Sequence, residues 1–323
     1  MPRLLPNEEL RLLSKVSKLY YDEGMTQDEI VEKLQLSRSK ISRLLRQARE
    51  EGVVQISVVS PPGVFPELEL QLERRYGLQE VIVVDVRQPD NQAAVTRDLG
   101  NAAAGFLRRV VRSGDVIGIS WGNTMRCMVD AMHFYPVPNS QVVQIIGGLG
   151  RPESEVHATE LCRRLARSLN SRLVLLPAPG IVDSQQIKEI MLSDSHVQSA
   201  LNMFARLTLA LVGIGSPAPG ALMMHDGSIV TPEEMEGLVQ KGAVGDIALR
   251  FFDIQGRAVH SNVDDRVIGI TLDELSQVER VVGVAGGPEK DSVLLGALQG
   301  KLINTLITDA AAAQRLLEAG PVP

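Results

Sequence analysis

The sequence predicts two parts: a helical head over residues 1–60, and a mainly parallel α/β domain, entered through a linking helix, over residues 61–323. Three observations predict it. A chain of 323 residues is longer than one hydrophobic core usually serves. Apolar residues recur three or four apart up to Glu50, then gather beyond Glu80 into short continuous runs. Between the two regimes lies "SPPGVFPE", Ser60 to Glu67, whose three prolines and glycine mark a boundary.

In the head, Leu10, Leu13, Val16, Leu19 and Tyr20 predict an amphipathic helix from Asn7 to Tyr21, ended by Gly24. Thr26-Gln27-Asp28-Glu29 reads as a capping box that opens a second, short helix ending near Gln35, with Ile30, Val31 and Leu34 inward. Leu36 plugs the turn, Ser37 is an N-cap, and a third helix runs from Arg38 to Glu50 on Ile41, Leu44, Leu45 and Ala48. From Ser37 to Arg49 this helix carries five basic residues and no acidic one. Arg38 and Lys40 sit near the positive end of the helix dipole, where cations are unfavourable, which points to an anionic partner. Helix, short turn and basic helix form a helix-turn-helix, and "GVVQISVV", Gly52 to Val59, follows as a β-strand or small wing. A solvated charged face is the plainer alternative. On a duplex, Arg43, Arg46 and Arg49 contact phosphates, and Arg38, Ser39, Lys40, Ser42 and Arg43 are placed to reach base edges. Thr26 and Gln27 touch the nucleic-acid backbone from the preceding helix.

Leu68, Leu70, Leu72 and Tyr76 predict the linking helix, a candidate for dimerisation. Then come "VIVVDV", "DVIGIS", "QVVQIIGG", "RLVLLPAPG", "LTLALVGIG", "RVIGI", "RVVGVAGG" and "LINTLITD", mostly β-branched and continuously apolar, as in buried parallel strands. Helical patterns such as Gln92 to Val111 and Glu153 to Leu169 alternate with them. Four runs end in glycine turns: Gly118 to Thr124, Ile145 to Gly150, Leu211 to Gly220 and Gly283 to Lys290. Ligands of such sheets bind beyond the carboxyl ends of the strands. Glycine lets main-chain N–H groups approach an anion, Asn123 and Thr124 add donors, and Lys290 adds a charge. The turns suit a phosphate or a polyhydroxylated ligand, though none is a P-loop or a dinucleotide fingerprint.

Composition narrows the class. The net charge is −6, so any nucleic-acid contact is confined to a local patch. No apolar run approaches a membrane span, the N-terminus lacks a signal-peptide core, and no membrane partner is expected. Two cysteines far apart, Cys127 and Cys162, argue for the cytoplasm and against a disulfide framework or zinc site. No metal and no cofactor is expected. Aromatic content of 3% argues against a single-strand stacking platform.

Three motifs in order carry a family resemblance: "LYYDEGMTQDEIVEKLQLSRSKISRLLRQAREEGVVQISV"; "KGAVGDIALRFFDIQGRAV" with "RVIGITLDEL"; and "VVGVAGGPEKDSVLLGALQGKLINTLITDAAAAQRLL". Over nearly its whole length the chain resembles the SorC family of bacterial transcriptional regulators. The resemblance implies a helix-turn-helix domain on double-stranded operator DNA, and an effector domain like the sugar-phosphate isomerases and deaminases. It further implies a homo-oligomer, typically a tetramer, that answers to a phosphorylated sugar, sugar or polyol. It places Gly122, Asn123 and Thr124 at a ligand phosphate, Asp246 on sugar hydroxyls and Lys290 on the ligand anion. Gly147 and Gly148 would line the floor. One subgroup carries a Schiff-base lysine just before the paired glycines. Here that position is Ile146, which implies non-covalent binding of a ligand with one anionic group or none. An isomerase- or deaminase-like enzyme with an accessory DNA-binding head is the alternative. It needs an acid and a base at the reacting carbon, and only Asp246 offers itself.

Overall fold

A computed structural model of the chain describes residues 7–149, 158–217 and 229–319. It divides into two compact units, Met1–Ser60 and Pro61–Pro323.

In the first unit α1 (Asn7–Ser17) runs into a single π turn, Lys18–Asp22, where a continuous α-helix was expected. The capping box of α2 (Gln27–Leu34) forms: Thr26 Oγ1 accepts from the Glu29 amide at 3.3 Å, and the Glu29 carboxylate accepts from the Thr26 amide at 2.7 Å. Gln35 turns left-handed, Ser37 caps the next helix, and α3 (Arg38–Glu50) begins. Leu13, Val16, Ile30, Ile41, Leu44, Leu45 and Ala48 close one small core. The expected strand or wing at Gly52 to Val59 does not form: these residues make no ladder with any described residue, and Ile56, Val58 and Val59 are exposed.

The second unit opens with α4 (Pro66–Tyr76), started by proline in its first turn and stopped by left-handed Gly77. Next come β1 (Glu80–Val84), α5 (Gln92–Val110), β2 (Val116–Ile119), α6 (Asn123–Asp130), β3 (Gln141–Gln144), α7 (Ala158–Leu169) and β4 (Arg172–Val174). They are followed by α8 (Gln185–Ser193), α9 (Ser195–Leu201), β5 (Leu209–Gly213), α10 (Pro232–Gln240), β6 (Gly245–Ile247) and β7 (Arg250–Phe252). The chain closes with α11 (Leu272–Ser276), β8 (Arg280–Val284), α12 (Asp291–Gln299), β9 (Thr305–Asp309) and α13 (Ala310–Glu318). Seven strands form one parallel sheet in the order β1-β9-β8-β5-β2-β3-β4, and β6 and β7 form a separate hairpin. Two buried apolar clusters contain the inward residues, one holding Leu72, Val143 and Phe252, the other Leu107, Ile117 and Leu211.

One expected strand differs. Among the described residues, segment "RVIGI" makes only isolated bridges, Val267 to Ile181 and Gly269 to Ile146. The buried Arg250 guanidinium donates to the carbonyls of Val267, Gly269 and Ile270 and to the Asp264 carboxylate at 2.6 Å. Those carbonyls are satisfied by an arginine instead of a neighbouring strand. Gly150, Glu153 to His157 and residues 218–220, parts of the expected turns and of the helix at α7, lie outside the described residues.

Candidate functional site

The chain winds from β2 through β3 to β4 in one direction, then from β5 through β8 to β9 in the other. Winding therefore reverses between the neighbours β2 and β5, and it is at such a switch point, beyond the strand carboxyl ends, that sheets of this kind take their ligands. The two strands stay bonded to their tips: the Ser120 amide donates to Leu211 O at 3.0 Å, and Ser120 Oγ accepts from the Gly213 amide at 3.1 Å. They part at Gly122, whose φ of 112° suits glycine. The chain then enters α6 directly. The first intrahelical bond is Arg126 N–H to Gly122 O at 2.9 Å, so the amides of Asn123, Thr124 and Met125 precede it and make no hydrogen bond among the described residues. The Asn123 side chain is exposed and that of Thr124 half-buried.

Asp246 reaches the same rim from the β6–β7 hairpin. Its main chain pairs both ways with Gly215, just past β5, at 2.9 and 3.2 Å. The hairpin turns on Ala248 and Leu249, both at positive φ (53° and 60°), a conformation usually given to glycine or asparagine. Asp246 Oδ2 accepts from the Leu249 amide at 3.0 Å and holds this turn. Its Oδ1 is buried and, among the described residues, has no hydrogen-bond partner. Lys290, the residue before α12, is half-buried and donates from Nζ to Ile214 O at 3.0 Å. Burial pushes the Asp246 carboxyl up to about 6, against the pull of the Leu249 amide and the Lys290 charge. Burial lowers Lys290, and Asp246 and Glu289 oppose that.

Of the residues singled out in the sequence, Asp246 and Lys290 thus converge on the Ile214–Gly215 turn, while Gly122, Asn123 and Thr124 stand on the adjoining strand end. Gly147 and Gly148 follow β3, one strand further along. Their amides are already donated, to Ile268 O at 3.0 Å and Ala178 O at 2.9 Å. A Cβ on Gly147 would lie 2.4 Å from Pro179 O, so close loop packing alone requires glycine there. Ile146 is fully buried. Arg250 escaped the sequence reading, because an arginine inside "ALRFFD" gives no signal of its carbonyl partners.

On the head, Thr26, Arg38, Ser39, Ser42, Arg43, Arg46 and Arg49 are exposed, and Gln27 and Lys40 are half-buried. Arg38 lies 3.5 Å from Asp28 and Arg46 lies 3.9 Å from Glu50. Among the described residues Lys40, Arg43 and Arg49 carry no ion pair. The cationic face is therefore largely unneutralised.

By class, this is a helix-turn-helix head joined to an α/β domain with a polar rim at its switch point. A protein family described as "Putative sugar-binding domain" matches residues 63–318, and "Sigma-70, region 4" matches residues 14–51. The deoxyribonucleoside regulator of Bacillus subtilis is 36% identical over 97% of this chain and 99% of its own length. The sorbitol operon regulator of Klebsiella pneumoniae is 33% identical over 97% of this chain and 99% of its own. The crystal structure of that full-length regulator, SorC, superposes with a TM-score of 0.74, covering 96% of this chain and 100% of the other. The chain belongs to the SorC family of sugar-binding transcriptional regulators.

Proposed function

We propose that the chain is a transcriptional regulator that holds operator DNA with α2 and α3, and whose grip is set by a sugar-type metabolite at the β2/β5 switch point. The observation that carries the effector half is the orphaned Asp246 Oδ1 beside Lys290: a buried acceptor without a donor gains most from a ligand hydroxyl, and the ammonium gains from a ligand anion. A monophosphorylated sugar supplies both groups, and the amides at the start of α6 favour the same anion. On the head, Arg43, Arg46 and Arg49 would grip phosphates, while Arg38, Ser39, Lys40 and Ser42 would face base edges. Thr26 and Gln27 would fix the angle of entry. Ile146 and the committed amides of Gly147 and Gly148 favour a non-covalent ligand with a single anionic group. Residues 1–60 act as the DNA-binding domain and residues 61–323 as the effector domain.

The working unit is a homo-oligomer, a tetramer by family resemblance, in the cytoplasm; among the described residues no helix is long and apolar enough to cross a membrane. Binding without turnover fits Asp246 and Lys290, each of which already serves a main-chain group of the fold. A change of nuclear magnetic resonance signals from substrate to product, on adding sugar phosphates to the protein, would overturn that part.

The division of labour has its own test. Arg43→Ala should weaken duplex binding and leave ligand-induced thermal stabilisation intact. Lys290→Ala should weaken that stabilisation, with a loss of affinity on the order of tenfold to a hundredfold, and leave duplex binding of the unliganded protein intact. Equal loss of both activities in both folded variants would refute the proposal.

A further inference from the structure

Val53 to Val59, "VVQISVV", carries a β signal that a single chain does not use. Its start is anchored: the Val54 amide donates to Ala48 O at 2.9 Å, and the Val54 side chain packs on the core of the head. From Gln55 to Val59 no hydrogen bond forms with any described residue. Ile56, Val58 and Val59 stand 62%, 81% and 84% exposed. A β-branched segment with free main-chain groups on both edges is a template for another strand.

The segment itself indicates which strand. It reads the same from either end: two valines, a polar residue, Ile56, a polar residue, two valines. Antiparallel pairing across a two-fold axis requires such self-complementarity. With Ile56 on the axis, Val53 faces Val59, Val54 faces Val58 and Gln55 faces Ser57, so apolar meets apolar and polar meets polar at every step. Moving the axis to Ser57 sets Gln55 against Val59. No charge occurs from Gly52 to Pro66, so two copies can approach without like-charge repulsion.

We propose that residues 53–59 form an intermolecular two-stranded ribbon with the same residues of a second copy, with Ile56 on the two-fold axis. The ribbon follows α3 through Gly52 and ties two DNA-facing helices into a symmetric pair, as a two-fold operator demands. It deepens the homo-oligomer reading above and rests on it, but it does not depend on which ligand is bound.

Cross-linking of the full-length chain tests it. Opposed residues of a ribbon lie within disulfide reach, whereas residues offset by two do not. Under mild oxidation, Ile56→Cys should give a dimer linked 56-to-56 as its main product. A mixture of Gln55→Cys and Ser57→Cys chains should cross-link, while Gln55→Cys alone should not. The natural chain, with only Cys127 and Cys162, sets the background. If light scattering finds the natural chain monomeric, both the homo-oligomer reading and the ribbon fall. If it is oligomeric but position 56 links to another site or to nothing, or Gln55→Cys alone links as readily, only the ribbon falls.

Discussion

Asp246 divides its work between two oxygens. One holds a two-residue turn in which alanine and leucine both adopt positive φ, at a strain of roughly 1–3 kcal/mol each. The other is buried without a partner among the described residues. The family resemblance implies a ligand contact for this residue; the structure shows a turn cap, and the orphaned oxygen is why we propose the contact as well. Its titration gives a test. Burial raises the carboxyl from the ordinary 3.8 to about 6. Between those values the folded protein keeps a proton that the unfolded chain has lost, so Asp246 favours folding below the lower value and that contribution disappears as pH rises through the upper one. Asp246→Asn keeps an acceptor for Leu249 and cannot titrate. Its melting temperature, relative to the natural protein, should therefore rise between about pH 4 and pH 6. A constant difference across that window would mean that Asp246 titrates alike in both states.

At the scale of elements, the caps were legible because their chemistry is local. Thr26 with Glu29, and Ser37 ahead of α3, are each written within four residues. Long-range satisfaction was not legible. "RVIGI" has a strand's composition but lies against an arginine from another element, and the β6–β7 turn contains none of the residues that usually announce one. The sheet edge is a similar case. The outward amides of Val81 and Val83 in β1 donate to the carboxylates of Glu73 and Glu69 on α4, each at 3.0 Å. Helix α4 thus closes an edge that would otherwise be free to pair with other chains. Replacing both glutamates by alanine should cost about 1–3 kcal/mol, read from the urea midpoint, and should raise light scattering on heating. Glutamine at both positions keeps the acceptors and should lose less. An unchanged midpoint in the alanine variant would show that α4 does not protect this edge.

For the whole molecule, the head and the parallel sheet could be read from periodicity, but the convergence of the rim could not. Asp246, Lys290 and Gly122 are far apart in the chain, and only the strand order brings their turns to one end of the sheet. The family motifs supplied that grouping in advance, which composition and spacing alone did not. Regulation adds a further requirement: a metabolite changes operator affinity only by binding two quaternary states unequally. The most direct measurement is the affinity of the full-length protein for a duplex it selects from a random pool, with and without the sugar phosphate that raises its melting temperature most. The account predicts a shift of roughly 5–150-fold for the natural protein and little or none for Lys290→Ala at the same ligand concentration. Equal affinity with and without the saturating metabolite, or an undiminished shift in Lys290→Ala, would contradict it.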